Sequence, residues 1–428
     1  MKIAKTMIAV GTALTLIAGI SACSSGATSP AAADQGPANL RVWFMQDSVP
    51  SSAQAYLQTE FAKENKGSTL TVQVQQWNGI AQKLQTSLPS KGQTPDLVET
   101  GSTQTTTFSS VGAFSDITAL KGQLGGNSLV QSFVNSATWD NKLYGVPLYA
   151  GSRSVYYRKD LFAKAGIAVP QTIDQLQAAI QKLQAANPDK TPGFSSIYLS
   201  ANDVHAPESW LFANGGGYAN SENGKWVGDL TSADSQRALQ ELQAIWKNDT
   251  TYGLDSTAAA NGMYNLFNSG QVGMMVGTLN VSTQISKQLM DSGNVGMFAF
   301  PSTTVGTPGK TFAGGSNVSI SAASAHPALD QSALKIIMGK QFQSLLAKDG
   351  GWVPGNMSYA DALTGPFAAV AREAVQNSKL TPNTPQWGVA TANNLLKNFY
   401  ISIAKGENTL TAAKAADTQI ETALNASN

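Results

Sequence analysis

Four tryptophans stand where a flat ring is free to meet a ligand: Trp77 beyond the second apolar run, Trp210 just ahead of a glycine run, Trp352 among glycines, and Trp387. Each also has a packing reading, because tryptophan is more often core than platform. Rings of this kind lie against the apolar C–H faces of sugars, while carboxylates, amides and guanidinium groups fork onto the hydroxyl edges. Asp47, at the end of the first predicted strand, and Glu99, after the Pro95-Asp96 turn into another, supply carboxylates. Asp47 has a second reading as cap of the following helix, with Ser51 and Ser52 as rival caps, and Glu99 a second reading as a solvated loop carboxylate. Trp43, Trp139 and Trp246 fall inside strand, turn and helix patterns and are assigned to packing.

The same residue types would serve a glycoside hydrolase, which needs two carboxylates ~5 to 10 Å apart. The chain has no G-x-S-x-G element, no P-loop and no nucleophile–base–orienter pattern. His205 and His326 are isolated, and His326 beside Pro327 reads as a surface residue at a helix start. With one cysteine and two histidines no Cys/His metal cluster can be built, and no cofactor is expected. The 28 basic and 27 acidic side chains of this 428-residue chain nearly cancel. No broad basic field exists, so nucleic acid is not expected as a partner. Only 13% of residues are charged, about half the ~25% of an average domain, which leaves a neutral, hydrogen-bonding surface.

The elements that must position these residues follow from periodicity. Leu40–Met45 and Leu70–Val74 read as strands, and Asp96–Val98 opens a third. Ala53, Leu57 and Phe61 recur at helical spacing between the first two, a βαβ signature that implies a parallel sheet. Thr172-Ile-Asp-Gln175 is a capping box, with Ile173, Leu176, Ile180 and Leu183 along one face. Ser232 caps another helix that turns Leu239, Leu242, Ile245 and Trp246 inward, and Leu334–Leu346 and Leu410–Leu424 show similar periods. Strands alternating with helices define an α/β fold, and the length suits two domains, whose facing sheets would enclose a cleft.

The first residues are an address. Lys2 and Lys5 precede an apolar run from Met7 to Ile20, and Ile20-Ser21-Ala22-Cys23 follows. Those fourteen residues span about 21 Å as a helix, short of a ~30 Å hydrocarbon core. The pattern resembles a bacterial lipobox, which implies cleavage after residue 22 and acylation of Cys23. Its other reading is an ordinary secretory signal with a free thiol. Ser24–Asn39, rich in Ser, Gly, Ala and Pro, reads as a flexible tether. The mature chain is then expected on the extracellular face of the membrane, held by two or three acyl chains.

Several blocks, in order, carry a resemblance. They are Leu40-Arg-Val-Trp-Phe-Met45; Gly92-Gln-Thr-Pro-Asp-Leu-Val98; Asp140-Asn-Lys-Leu-Tyr-Gly-Val-Pro147 with Val155-Tyr-Tyr-Arg-Lys-Asp-Leu-Phe-Ala-Lys-Ala-Gly166; Pro170-Gln-Thr-Ile-Asp-Gln-Leu176; Asn214-Gly-Gly-Gly217; Phe267-Asn-Ser-Gly-Gln-Val-Gly-Met274; Phe300-Pro301; and Gly351-Trp-Val-Pro354. Together the chain resembles the solute-binding proteins of ABC importers, specifically the large sugar-binding family that includes the maltose-binding protein. The resemblance implies a type II periplasmic-binding-protein fold, two α/β domains closing on a ligand about a hinge. It implies a first domain over 40–149 and 315–353 and a second over 150–314 and 354–428. Crossings are implied near Tyr149–Ser152, near Phe312–Gly315 and near Trp352–Met357.

On the same basis Asp47 and Glu99 occupy ligand-contact positions, and Tyr149 and Arg153 sit beside the first crossing, with Arg153 either forking onto hydroxyls or pairing with a carboxylate. Where many members place a stacking tryptophan, this chain has Thr278-Leu279-Asn280, and Asn280 is a candidate hydrogen-bonding replacement. Thr100 likewise stands where the maltose binder has a tryptophan, which argues against maltose as the ligand. The implied partners are a carbohydrate, a pair of membrane permease subunits and, through the anchor, the membrane itself, with the protein a monomer. A non-sugar solute is the alternative ligand class. Tyr156-Tyr157 makes a poor common site for one, since neighbouring residues of a strand face opposite ways.

Overall fold

The computed structural model describes residues 36–90, 92–256, 262–391 and 394–426. The stretch read as a signal peptide, Cys23 and the expected tether up to residue 35 lie outside the described residues.

Ten strands organise the molecule: β1 (Asn39–Met45), β2 (Thr69–Gln75), β3 (Leu97–Gly101), β4 (Val146–Ser152), β5 (Ser154–Arg158), β6 (Ser195–Tyr198), β7 (Val272–Gly277), β8 (Val295–Ala299), β9 (Thr311–Ile320) and β10 (Val353–Pro354). The first sheet runs β2-β1-β3-β9-β4-β10, with Ser378–Lys379 added beside β9. The second runs β8-β5-β7-β6. These two sheets form the two α/β lobes that the resemblance implies. The parallel pairing expected around β1 is present, β1 lying parallel to both β2 and β3. The sheet as a whole is mixed, because β9 returns from the other lobe and inserts antiparallel between β3 and β4.

Each lobe has its own core. In the first, Ala53, Leu57 and Phe61 of the helix Ser51–Glu64 pack with Leu40, Val42 and Phe44 of β1 and with Leu334 and Phe342. The apolar period expected over Leu334–Leu346 is split into helices Pro327–Met338 and Lys340–Lys348, because Gly339 between them is extended. In the second lobe, Thr172 Oγ1 accepts from Gln175 N at 3.2 Å and starts the helix Ile173–Ala186. Gln175 Oε1 closes the box one residue earlier than the pattern implies, accepting from Gln171 N at 2.8 Å. Ser232 caps Ala233–Asn248 as the sequence implies, and Leu239, Leu242, Ile245 and Trp246 are buried.

The lobes meet where β4 runs on into β5 with only Arg153 between them, and where β9 comes back beside β4. Gly315 on β9 has φ +139°, and a Cβ there would stand 2.4 Å from the Tyr149 carbonyl oxygen, so only glycine lets the two crossing strands approach.

The C-terminal segment is tied to the second lobe through Asp417 on the helix Thr409–Leu424. Its carboxylate accepts from Leu230 N at 3.1 Å and Thr231 N at 3.2 Å. Burial pushes this carboxyl up from its ordinary value to about 6, against the pull of those two donors. The folded protein therefore holds a proton that the unfolded chain has already lost between about pH 4 and 6, and this group's contribution to stability falls as pH rises through that window. We expect Asp417→Asn to flatten the wild-type decline, by on the order of 1 kcal/mol after solvent screening, when unfolding midpoints are measured from pH 4 to 7.

Candidate functional site

A cavity of about 1020 Å³ opens between the two lobes. The first lobe contributes Trp77 from the turn after β2, the hydroxyl and amide side chains of Ser102, Thr103, Gln104 and Thr107, and Tyr149 and Trp352 from β4 and the edge of β10. The second lobe contributes His205 and Glu208 from the helix His205–Ala213, Thr278 beyond β7, and Trp387 with its C-terminal neighbours. Arg153, Phe312, Gly314 and Gly315 form the back wall at the crossings.

The rings are held in distinct ways. Trp77 is 41% exposed at the rim. Trp352 lies against Tyr149 with ring centroids 4.5 Å apart, and Gly151 makes room for it, since a Cβ there would stand 3.2 Å from the indole. Tyr149 is in turn fixed from below. Its hydroxyl donates to Glu99 Oε1 at 3.1 Å and lies 2.9 Å from Ser48 Oγ and 3.2 Å from Ser316 Oγ. Trp387 reaches the cavity but is only 4% exposed, with its ring 5.5 Å from Tyr218 in the second-lobe core. Arg153 lines the cavity while its guanidinium pairs with Asp203 at 3.1 Å, the carboxylate pairing that is one of its two expected readings.

The other expected positions are corrected by the structure. Glu99 is fully buried beneath the floor, because β3 runs between β1 and β9; it also accepts from Met45 N at 2.8 Å. Burial pushes its carboxyl up, and the donors around it pull the other way. Asp47 is exposed in the turn after β1 at φ +62° and does not line the cavity. It does not cap the next helix either, nor do Ser51 and Ser52; the N-cap is Pro50, with no side-chain bond. Trp210 is fully buried, its Nε1 donating to Glu241 Oε2 at 2.7 Å and its ring edge-on to Phe300, because every residue of its helix from Ala206 to Ala213 is buried. Asn280 is exposed on a neighbouring groove, and Thr278, whose hydroxyl donates to Asn280 Oδ1, is the residue that faces the cleft.

Sequence reasoning missed the His205–Glu208 pair and the amide of Gln104. Histidine and glutamate at i, i+3 in a helix was a visible signal, but the ring that backs it, Phe312, lies over a hundred residues away.

The family model for bacterial extracellular solute-binding proteins matches residues 46–349, well over half of the chain. The chain belongs to that family. The family binds its solute and does not transform it, which sets the enzyme reading aside. Among its relatives is the diacetylchitobiose-binding protein DasA of Streptomyces coelicolor, 30% identical over 382 residues, 88% of this chain and 87% of that one. The maltodextrin-binding protein MdxE of Bacillus subtilis is 25% identical over 90% of each chain. Among solved structures, the sugar-binding protein MalE of Xanthomonas citri superposes with a TM-score of 0.79 at 19% identity, covering 90% of this chain and 97% of that one.

In a binding protein of this family Glu99 is a positioning residue and Trp210 a core residue. We expect Glu99→Ala to cost about 1–3 kcal/mol of stability by stranding the buried Met45 N–H and removing one of the partners that hold the Tyr149 hydroxyl. Trp210→Ala should cost about 3–5 kcal/mol. In both cases denaturant unfolding registers the change, and ligand affinity of the folded Trp210→Ala fraction stays at the wild-type value.

Proposed function

We propose that this solute-binding protein captures an extracellular carbohydrate, an oligosaccharide, in the cleft between its lobes and delivers it to the membrane permease pair of an ABC importer. The observation that carries this reading is the placing of Trp77, Trp352 and Trp387 around one cavity, among hydroxyl and amide side chains. Flat rings and neutral hydrogen-bonding groups match the faces and edges of a sugar. The diacetylchitobiose and maltodextrin ligands of two relatives support the same class.

The ligand draws the lobes together by making more contacts in the closed state than in the open one. The one-residue link at Arg153 and the close pass of Gly315 against Tyr149 are suited to carry that rotation. Cys23, in its lipobox-like setting, anchors the mature monomer by acyl chains at the outer face of the membrane.

Titrating the purified protein with mono- and oligosaccharides, polyamines and ferric chelates, with tryptophan fluorescence and calorimetry as readouts, tests the ligand class. Saturable binding of one sugar class without its cleavage is the expected result; a response confined to polyamines or chelates would overturn the carbohydrate reading. Trp352→Ala should weaken binding of that sugar by about 1–3 kcal/mol. Cys23→Ala should move the protein from the membrane fraction to the medium, and its retention in membranes would remove the anchor from the account.

A further inference from the structure

His205 is held on two sides. Its Nδ1 lies 2.7 Å from Glu208 Oε2, one helical turn along, and its ring lies flat on Phe312, centroids 4.3 Å apart and planes within 2°. Glu208 is fully buried, whereas the His205 side chain keeps 45% of its surface exposed and lines the cleft. In the neutral ring a carboxylate partner takes the hydrogen on Nδ1, which leaves Nε2 as an acceptor. With one ring face covered by Phe312 and the Nδ1 edge covered by Glu208, the edge left for the cleft is the one that carries Nε2.

The rest of the wall has a consistent chemistry. Among the described residues lining the cleft, Glu208 is the only carboxylate, and it is fully buried behind His205 with Oε2 against the ring's Nδ1. The open groups are amides and hydroxyls such as Gln85, Ser102, Thr103 and Gln104, with the cation Lys397 and the Arg153 guanidinium already paired to Asp203. A protonated amino sugar would find no counter-charge there. An acetamido group carries an N–H donor, a carbonyl acceptor and a methyl, and the cleft offers an imidazole acceptor, amide and cationic donors, and aromatic rings.

The geometry points to His205 as a specificity-determining residue whose Nε2 accepts the N–H of a ligand acetamido group, so that the cleft selects N-acetylated amino-sugar oligosaccharides over their hydroxyl and amine counterparts. This inference rests on the carbohydrate reading of the same cleft. Glu208 and Phe312 act through His205 by fixing the ring; a site built to hydrogen-bond one group rejects analogues that leave its polar atoms unpaired.

Calorimetry on the full chain with three disaccharides that share one β-1,4 frame tests it: cellobiose, chitobiose and N,N′-diacetylchitobiose, bearing hydroxyl, ammonium and acetamido groups at C2. The wild type should bind the acetamido form about tenfold or more tighter than either of the others. His205→Phe keeps a ring on Phe312 and removes the acceptor; it should lose about tenfold on the acetamido form and little on cellobiose. His205→Gln restores an acceptor and should recover part of the loss, which also decides the matter where the Phe variant does not fold. Equal wild-type affinities for the three sugars, or an acetamido preference that survives in His205→Phe or is absent from His205→Gln, would overturn the inference. Binding of maltotriose alone would also overturn it while leaving the carbohydrate reading intact. Silence to every sugar beside a response to another solute would remove that reading itself.

Discussion

The close antiparallel pass of β9 against β4 is the constraint on which the rest of the molecule depends. These two strands are where the chain moves between lobes, and at Gly315 the backbones are so near that a single Cβ would collide with the Tyr149 carbonyl. The register shifts immediately afterwards, between Ser316 and Asn317. An irregular stretch in the middle of a sheet is a natural place for a bend, since a bulge loosens the ladder and re-aims the side chains beside it. Both walls of the cleft are anchored to this point, the first through Tyr149 and the second through Phe312.

A buried acid stabilises one side of that arrangement. Taking Glu99 out of water is costly unless its oxygens are satisfied, and here they receive the Met45 N–H and the Tyr149 hydroxyl. The benefit appears one layer up. Tyr149 cannot rotate away, so it offers a fixed edge on which Trp352 rests, and the glycine at 151 lets the indole settle against the strand. On the opposite wall Glu208 and Phe312 restrain His205 in the same manner. In both walls an aromatic or imidazole group meets the ligand space and a buried carboxylate holds it there. Such preorganisation lowers the ordering cost at binding.

Much of the fold is legible from periodicity. The helix carrying Ala53, Leu57 and Phe61, the capped helices at Thr172 and Ser232, and the strands around Val42 and Val72 each announce themselves within a dozen residues, because local spacing decides which face is apolar. The site is less legible. Trp77 and Trp352 sit beside turns and glycines, where a ring has somewhere to go, and they reach the cleft. Trp210 also precedes a glycine run, yet its helix is buried from Ala206 to Ala213, and no local signal separates the two cases.

The sequence by itself determined the alternation of strands and helices, the neutral hydrogen-bonding character of the surface, and the family, since all of these are properties of spacing, composition and ordered motifs. Tertiary structure alone decided which polar residues meet solvent. Glu99 is buried because β9 returns to cover β3, Asp47 turns outward because its turn takes a left-handed residue, and the His205 ring is held in one orientation because Phe312 of β9 lies flat against it. Burial is a sum over neighbours distant in sequence, and pairings across more than a hundred residues leave no trace in local pattern.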